Sequence, residues 1–196
     1  MRSSKNTIRM AANFDGKSIQ TDSIVDGPGL RAVIWTQGCS HNCEGCQNPG
    51  THSFRGGEIV EIQKIKDEIK ELEYHQGITF SGGDPMFQSE ACGEIAEYAK
   101  SLGLNVWCYT GFTYEEIIEL SKKSKKYNKF MNNIDVLVDG KFILEEKSYD
   151  LHFRGSRNQR IIDVQRSLKE ERVVLVEKYA EDKKISHYEK PSYMFI

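Results

Sequence analysis

The sequence predicts an α/β fold: parallel strands alternating with helices, arranged as an incomplete βα barrel open on one side, with its site at the C-terminal strand ends. Three observations carry this. Apolar, β-branched runs alternate with helically periodic segments. Glycine-rich turns, cysteines and acids stand just after the strand ends, the edge where parallel sheets and barrels build their sites. The chain's 196 residues hold too few such units to close an eight-unit barrel.

Taken in order, residues 7–12 read as a short edge strand. Residues 22–30, DSIVDGPGL, form a turn-rich approach around Gly27-Pro28-Gly29. RAVIWT at 31–36 is a buried strand, apolar and partly β-branched. Residues 58–74 read as a helix, because Ile59, Ile62, Ile65, Ile69 and Leu72 share one stripe. GITFS at 77–81 is a second strand, ending at Gly82-Gly83-Asp84-Pro85. Residues 89–101 are helical, with Ala91, Ile95, Tyr98 and Leu102 near one face, and LNVWCY at 104–109 is a third strand.

Thr113 and Glu116 have capping-box spacing and open another helix. Its Lys122, Lys123, Lys125 and Lys126 mark a solvated end rather than a binding patch. IDVLV at 134–138 is a fourth strand, ending at Asp139-Gly140-Lys141, and 159–164 and 172–176 are two further candidates. The tail after Lys178 is charged and patternless. The expected organisation is one domain over 1–196, with its core at 20–165 and a charged tail at 178–196.

Charge excludes some classes of function. With 27 basic and 29 acidic residues the net charge is −2, so there is no nucleic-acid footprint. No apolar run approaches membrane-span length, and the first residues lack a secretory apolar region, so a cytoplasmic protein without a membrane partner is expected. Five cysteines, three of them within eight residues, argue against a disulfide framework.

Those three are Cys39, Cys43 and Cys46, spaced C-x3-C-x2-C in TQGCSHNCEGCQNP at 36–49. Such a loop can wrap three thiolates around one inorganic core, with Gly38 and Gly45 allowing tight bends. On a four-iron cluster, three ligands leave one iron open to a small molecule. The rival reading is zinc, with His41 or His52 as fourth ligand. Asp139 and Lys141 follow a strand on the same face, where they either approach a ligand or close a turn. Arg154, Arg157 and Asn158 either orient a carboxylate or a partner loop, or pair on the surface. Cys92 and Cys108 read as small buried residues and Trp35 and Trp107 as core. His75, His152 and His187 have no recognisable partners.

Six segments extend the pattern: DGPGLR at 26–31, QGCSHNCEGCQNPGTH at 37–52, SGGDP at 81–85, YTGFT at 109–113, VLVDGKF at 136–142 and FRGSRNQRIIDV at 153–164. In this order they resemble the activating proteins of anaerobic (class III) ribonucleoside-triphosphate reductase, within the radical S-adenosylmethionine superfamily. The resemblance covers about residues 20–165. It implies a partial TIM-type barrel of the radical S-adenosylmethionine kind, and a [4Fe-4S] cluster on Cys39, Cys43 and Cys46 whose open iron is chelated by S-adenosylmethionine.

Further site residues follow from the same resemblance. Gly82, Gly83 and Asp84 meet the methionyl end: glycines let a ligand lie on bare backbone, and an acid can accept from its ammonium. Gly45, Cys46 and Gln47 lie beside the adenine, with Asn48 either a polar neighbour or a turn residue. One electron, from flavodoxin or ferredoxin, releases a 5′-deoxyadenosyl radical that takes hydrogen from a glycine of the reductase. No acid–base pair is required. There are two departures: Asp84 stands where Glu is common, and Gly45 where many superfamily members carry an aromatic residue. Activases of pyruvate formate-lyase or another glycyl-radical enzyme share the triplet and Gly-Gly turn and are the alternative. A zinc-stabilised binding module without turnover is the second.

Overall fold

The computed structural model describes residues 6–11 and 16–180. Its eight strands are β1 (Thr7–Met10), β2 (Gln20–Ser23), β3 (Arg31–Thr36), β4 (Glu58–Glu61), β5 (Gly77–Gly82), β6 (Asn105–Tyr109), β7 (Val136–Asp139) and β8 (Arg160–Asp163). Five helices join them: α1 (Ile62–Lys70), α2 (Ser89–Ser101), α3 (Tyr114–Lys123), α4 (Lys125–Asn133) and α5 (Val164–Glu170).

The strands form one mixed sheet in the order β4-β1-β3-β5-β6-β7-β8, with β2 also paired to β3. This corrects the expected incomplete parallel barrel. Only β3, β5, β6 and β7 run parallel; β1, β2, β4 and β8 pair antiparallel. The reason lies in the connections, because a parallel neighbour needs a crossover, usually a helix. The chain supplies α1, α2 and the α3–α4 pair between the parallel strands, but only a loop with a short 3-10 turn between β7 and β8.

Four further elements also differ. Residues 58–61 form a strand rather than the first turn of a helix, because they pair with β1 from Thr7↔Glu61 to Met10↔Glu58. Ile59 is accordingly 62% exposed, off the helical stripe that buries Ile62, Ile65 and Ile69. With β4 outside it, β1 is an interior strand, and Ala12 lies outside the described residues. Residues 172–176 contribute only a bridge, Ile162 to Leu175. The lysine-rich segment is split, because Ser124 is extended between α3 and α4. Most of the charged tail, with His187, lies outside the described residues.

Period-two alternation gives the sheet two different faces. Ala32, Ile34, Ile78, Phe80, Val106, Cys108 and Leu137 point to the face packed by α1, α2 and α4, where they meet Ile65, Ile95 and Phe130. Phe80 and Phe130 meet edge-on at 5.1 Å, a geometry that adds about 1 kcal/mol to their burial. Trp107 and Val138 point to the other face, where a smaller cluster includes Ile161 and Tyr179.

That second face also buries Arg31. Its Nε donates to Thr79 Oγ1 at 2.8 Å, and Nη2 donates to the Ile78 carbonyl at 2.6 Å and the Asn105 carbonyl at 3.1 Å. Burial pulls its pKa down to about 10, which leaves it charged at neutral pH. Thr79 donates onward to the Asp26 carbonyl at 2.7 Å, so the DGPGLR approach is tied beneath the parallel strands. Among the described residues no helix is long and apolar enough to cross a membrane.

Candidate active site

The parallel strands end on one edge at Thr36, Gly82, Tyr109 and Asp139. Above that edge lies a cavity of about 740 Å³, walled in part by Cys39, Cys43, Cys46, Gln47, Gly82 and Gly83. The cysteine loop leaves β3 and is pinned at its root. Gly38 N donates to Thr51 O at 2.8 Å and Cys39 N to His52 O at 3.0 Å, while the Gln37 amide donates to Ser53 O at 2.8 Å. All three thiols are free and half-buried. Burial raises the Cys39 thiol, opposed by a hydrogen bond from the His41 backbone. Asn48 N donates to Cys46 Sγ at 3.4 Å, the kind of contact that tunes a cluster thiolate.

The Gly-Gly turn presses directly on that loop. Gly83 N donates to Thr36 O at 2.7 Å and Asp84 N to Gly38 O at 3.0 Å. A Cβ on Gly83 would sit 2.6 Å from Gly38 O, and one on Gly82 would sit 2.5 Å from Thr36 O. Only glycine therefore lets the ends of β3 and β5 approach this closely.

The site residues expected from sequence do not all face the cavity. Asp84 is 1% exposed and is absent from its walls. Its Oδ1 accepts from Met86 N at 2.9 Å and Thr110 Oγ1 at 3.0 Å, and its Oδ2 accepts from Gly111 N at 2.9 Å. His41 Nε2 lies 2.6 Å from the same Oδ2; a carboxylate only accepts, so that nitrogen carries the proton. Gly45 faces the other way, where a Cβ would meet Leu144 Cδ1 at 2.8 Å.

Asp139 is buried under Tyr114 N and Arg160, and Lys141 lines a smaller adjoining cavity. Arg154 lines the main cavity while donating to Gln159 O at 2.9 Å. Arg157 donates to Ser148 Oγ and Asn158 to Lys141 O, both within their own loop region. Cys92 and Cys108 are fully buried, and burial pushes both thiols up.

The donor set fits an iron–sulfur cluster better than a single ion. Three reduced thiols wall one cavity, and His41, one of the two histidines available to zinc, is committed to Asp84.

A 4Fe-4S single cluster domain model matches residues 25–162. The chain is 33% identical over 155 residues to the anaerobic ribonucleoside-triphosphate reductase-activating protein of Enterobacteria phage T4, covering 76% of this chain and 92% of the relative. The protein of the same name from Vibrio cholerae is 36% identical over 145 residues, covering 69% and 89%. That from Salmonella typhi is 35% identical over 144 residues, covering 69% and 90%. The chain belongs to this family of reductase-activating proteins.

Several wall and support residues of this family member carry no role expected from the sequence, although the YTGFT segment at 109–113 contains three of them. Thr110 and Gly111 follow β6 as Gly82 and Gly83 end β5, and both wall the cavity. Their strand-end position was the available signal. Phe87 and Phe112 flank the His41 ring at 5.7 and 4.6 Å, a packing that no local pattern announces.

Proposed function

We propose that this chain is a radical S-adenosylmethionine activase. In this reading it cleaves S-adenosylmethionine reductively at a [4Fe-4S] cluster held by Cys39, Cys43 and Cys46, and so activates an anaerobic ribonucleoside-triphosphate reductase. One observation carries the reading: three free cysteines and a bare Gly-Gly turn meet at a single cavity on the C-terminal edge of the parallel strands. Family membership supports the choice of partner.

When bound, the cluster would supply the electron that splits S-adenosylmethionine into methionine and a 5′-deoxyadenosyl radical, which takes a hydrogen atom from a glycine of the reductase. The chain's own residues bind and orient. Gly82 and Gly83 offer backbone without side chains to the methionyl end. Cys46 and Gln47 border the adenine with backbone, while Gly45, at φ +67, turns the loop between them and Cys43. Val25 and Tyr149, 73% and 88% exposed on the rim, stand where a loop of the protein substrate would enter. Flavodoxin or ferredoxin is the electron donor in this reading. A thiol-ligated, reduction-dependent site suits the cytoplasm.

Anaerobic reconstitution with iron and sulfide tests this. The expected result is a brown protein that forms 5′-deoxyadenosine when reductant is added. The anaerobic ribonucleotide reductase should then gain a glycyl radical by electron paramagnetic resonance. Zinc near one per chain, with no chromophore, would overturn the proposal in favour of a binding module. A radical appearing only on pyruvate formate-lyase would reassign the partner.

A further inference from the structure

The acid of the Gly-Gly-Asp turn has no capacity left for a ligand. Its oxygens accept from four donors: Met86 N, the one hydroxyl proton of Thr110 shared between both oxygens, Gly111 N and His41 Nε2. A carboxylate offers about four lone-pair sites, so these are saturated. A ligand ammonium arriving from the cavity would have to displace them.

The partner that stands out is His41. It lies between Cys39 and Cys43, so it travels with the cysteine loop, whereas Asp84 travels with the end of β5. Their contact, at 2.6 Å, spans 43 positions of chain. The slot that receives the ring is shaped for it. A Cβ on Gly111 would lie 2.5 Å from His41 Cδ2, Phe112 meets the ring edge-on at 4.6 Å, and Phe87 lies against it at 5.7 Å. The imidazole is largely enclosed, with its side chain 9% exposed.

We infer that Asp84 and His41 form a positioning pair that clamps the cysteine loop against the ends of β5 and β6, holding the three thiols in the arrangement that retains a cluster. Asp84 is then a positioning residue rather than a group that touches S-adenosylmethionine. The inference rests on the cluster reading above. Its physical basis is that a loop between β3 and β4, tied chiefly at its root, needs a second attachment near the thiols to keep their spacing.

The test uses the full chain and four variants. His41→Phe keeps the ring packing and loses the N–H, and His41→Gln keeps a donor. Asp84→Asn removes the charge, and a double variant combines His41→Phe with Asp84→Asn. Far-ultraviolet circular dichroism first establishes that each is folded. The rate of cluster loss to a chelator is then measured anaerobically. His41→Phe and Asp84→Asn should each lose the cluster about tenfold faster, the scale on which outer-sphere partners tune metal sites. The double variant should be no faster than the faster single variant, the signature of one shared interaction. His41→Gln should restore most of the retention.

Affinity for S-adenosylmethionine, read from perturbation of the reduced-cluster resonance at matched cluster content, should be unchanged in Asp84→Asn. Wild-type retention in His41→Phe, or multiplicative losses in the double variant, would overturn the clamp. So would lost affinity at normal retention in Asp84→Asn. If the wild-type chain takes up no cluster, the proposed function fails instead. The clamp is then read from alkylation rates of Cys39, Cys43 and Cys46 in the cluster-free chain. These should rise in His41→Phe and return in His41→Gln; unchanged rates would overturn it.

Discussion

Arg160 holds both oxygens of Asp139, with Nε donating to Oδ1 at 3.0 Å and Nη2 to Oδ2 at 2.5 Å. Asp139 is 1% exposed at the end of β7 and also accepts from Tyr114 N at 2.8 Å, in the first turn of α3. One carboxylate thus ties β7, β8 and α3 together below the small cavity. Asp139→Ala should cost about 3 kcal/mol, because it removes the buried partner of Arg160, leaving only the exposed Glu115, and strands a buried backbone N–H. Arg160 is one-third exposed, and rehydration of its guanidinium keeps the figure at the low end for buried pairs. The shift in urea midpoint of the cluster-free chain measures it.

Arg160 also donates to both oxygens of Glu115, at 3.0 and 2.7 Å. These hydrogen bonds hold Glu115 below its ordinary 4.5, against the opposing effect of burial. Below pH 4.5 the unfolded chain therefore binds more protons at this position than the folded one. The bond's stabilisation is present above 4.5 and is lost as pH falls through the folded value. Between about pH 6 and about pH 3.5 the urea midpoint should fall by less in Glu115→Gln, which leaves the Arg160–Asp139 pair in place, than in the wild-type chain. Because Glu115 is well exposed, the difference should be small and should shrink further in salt.

Two glycine substitutions should separate strain from displacement. Gly103 has φ +80 and open space around it, so Gly103→Ala should cost about 1 kcal/mol through backbone strain alone. Gly83 has no such φ, but its Cβ would strike Gly38 O at 2.6 Å, and Gly83→Ala should cost about 1–3 kcal/mol through overpacking. Only Gly83→Ala moves the cysteine loop, so only it should accelerate cluster loss to a chelator. Stability and cluster retention, measured on both, test the distinction.

Cysteine substitutions should sort by position. Alanine at Cys39, Cys43 or Cys46 should abolish iron retention and the brown chromophore after reconstitution. Cys92→Ala, in the core packed by α2, should leave iron per chain unchanged and lower only the stability, by about 1 kcal/mol for the lost sulfur. Iron content and visible absorbance provide the measurement.

Much of the central fold was legible because its signals are local or continuous. RAVIWT forms β3 over the residues expected, since its continuous run Ala32–Trp35 supplies apolar side chains to both faces of an interior strand. Thr113 and Glu116 make the capping box that their spacing announces. The reading failed where a distant partner decided the outcome. Residues 58–61 fit a helical stripe with the isoleucines that follow, but the backbone of β1, some fifty positions earlier, takes them as a strand. The antiparallel strands β1, β2, β4 and β8 turn an expected parallel barrel into a mixed sheet for the same reason.

The amino-acid order alone determined that three thiols leave one strand on a short loop, and that a glycine pair ends the next. Covalent spacing limits what a loop of that length can reach, so this much needs no neighbour to be read. Tertiary structure alone decided where the Asp84 carboxylate points. The turn gives it a position, but His41, Thr110 and Gly111 arrive from other parts of the chain and take up its oxygens. A buried charge goes to whichever donors packing brings within reach, and that choice is made in three dimensions.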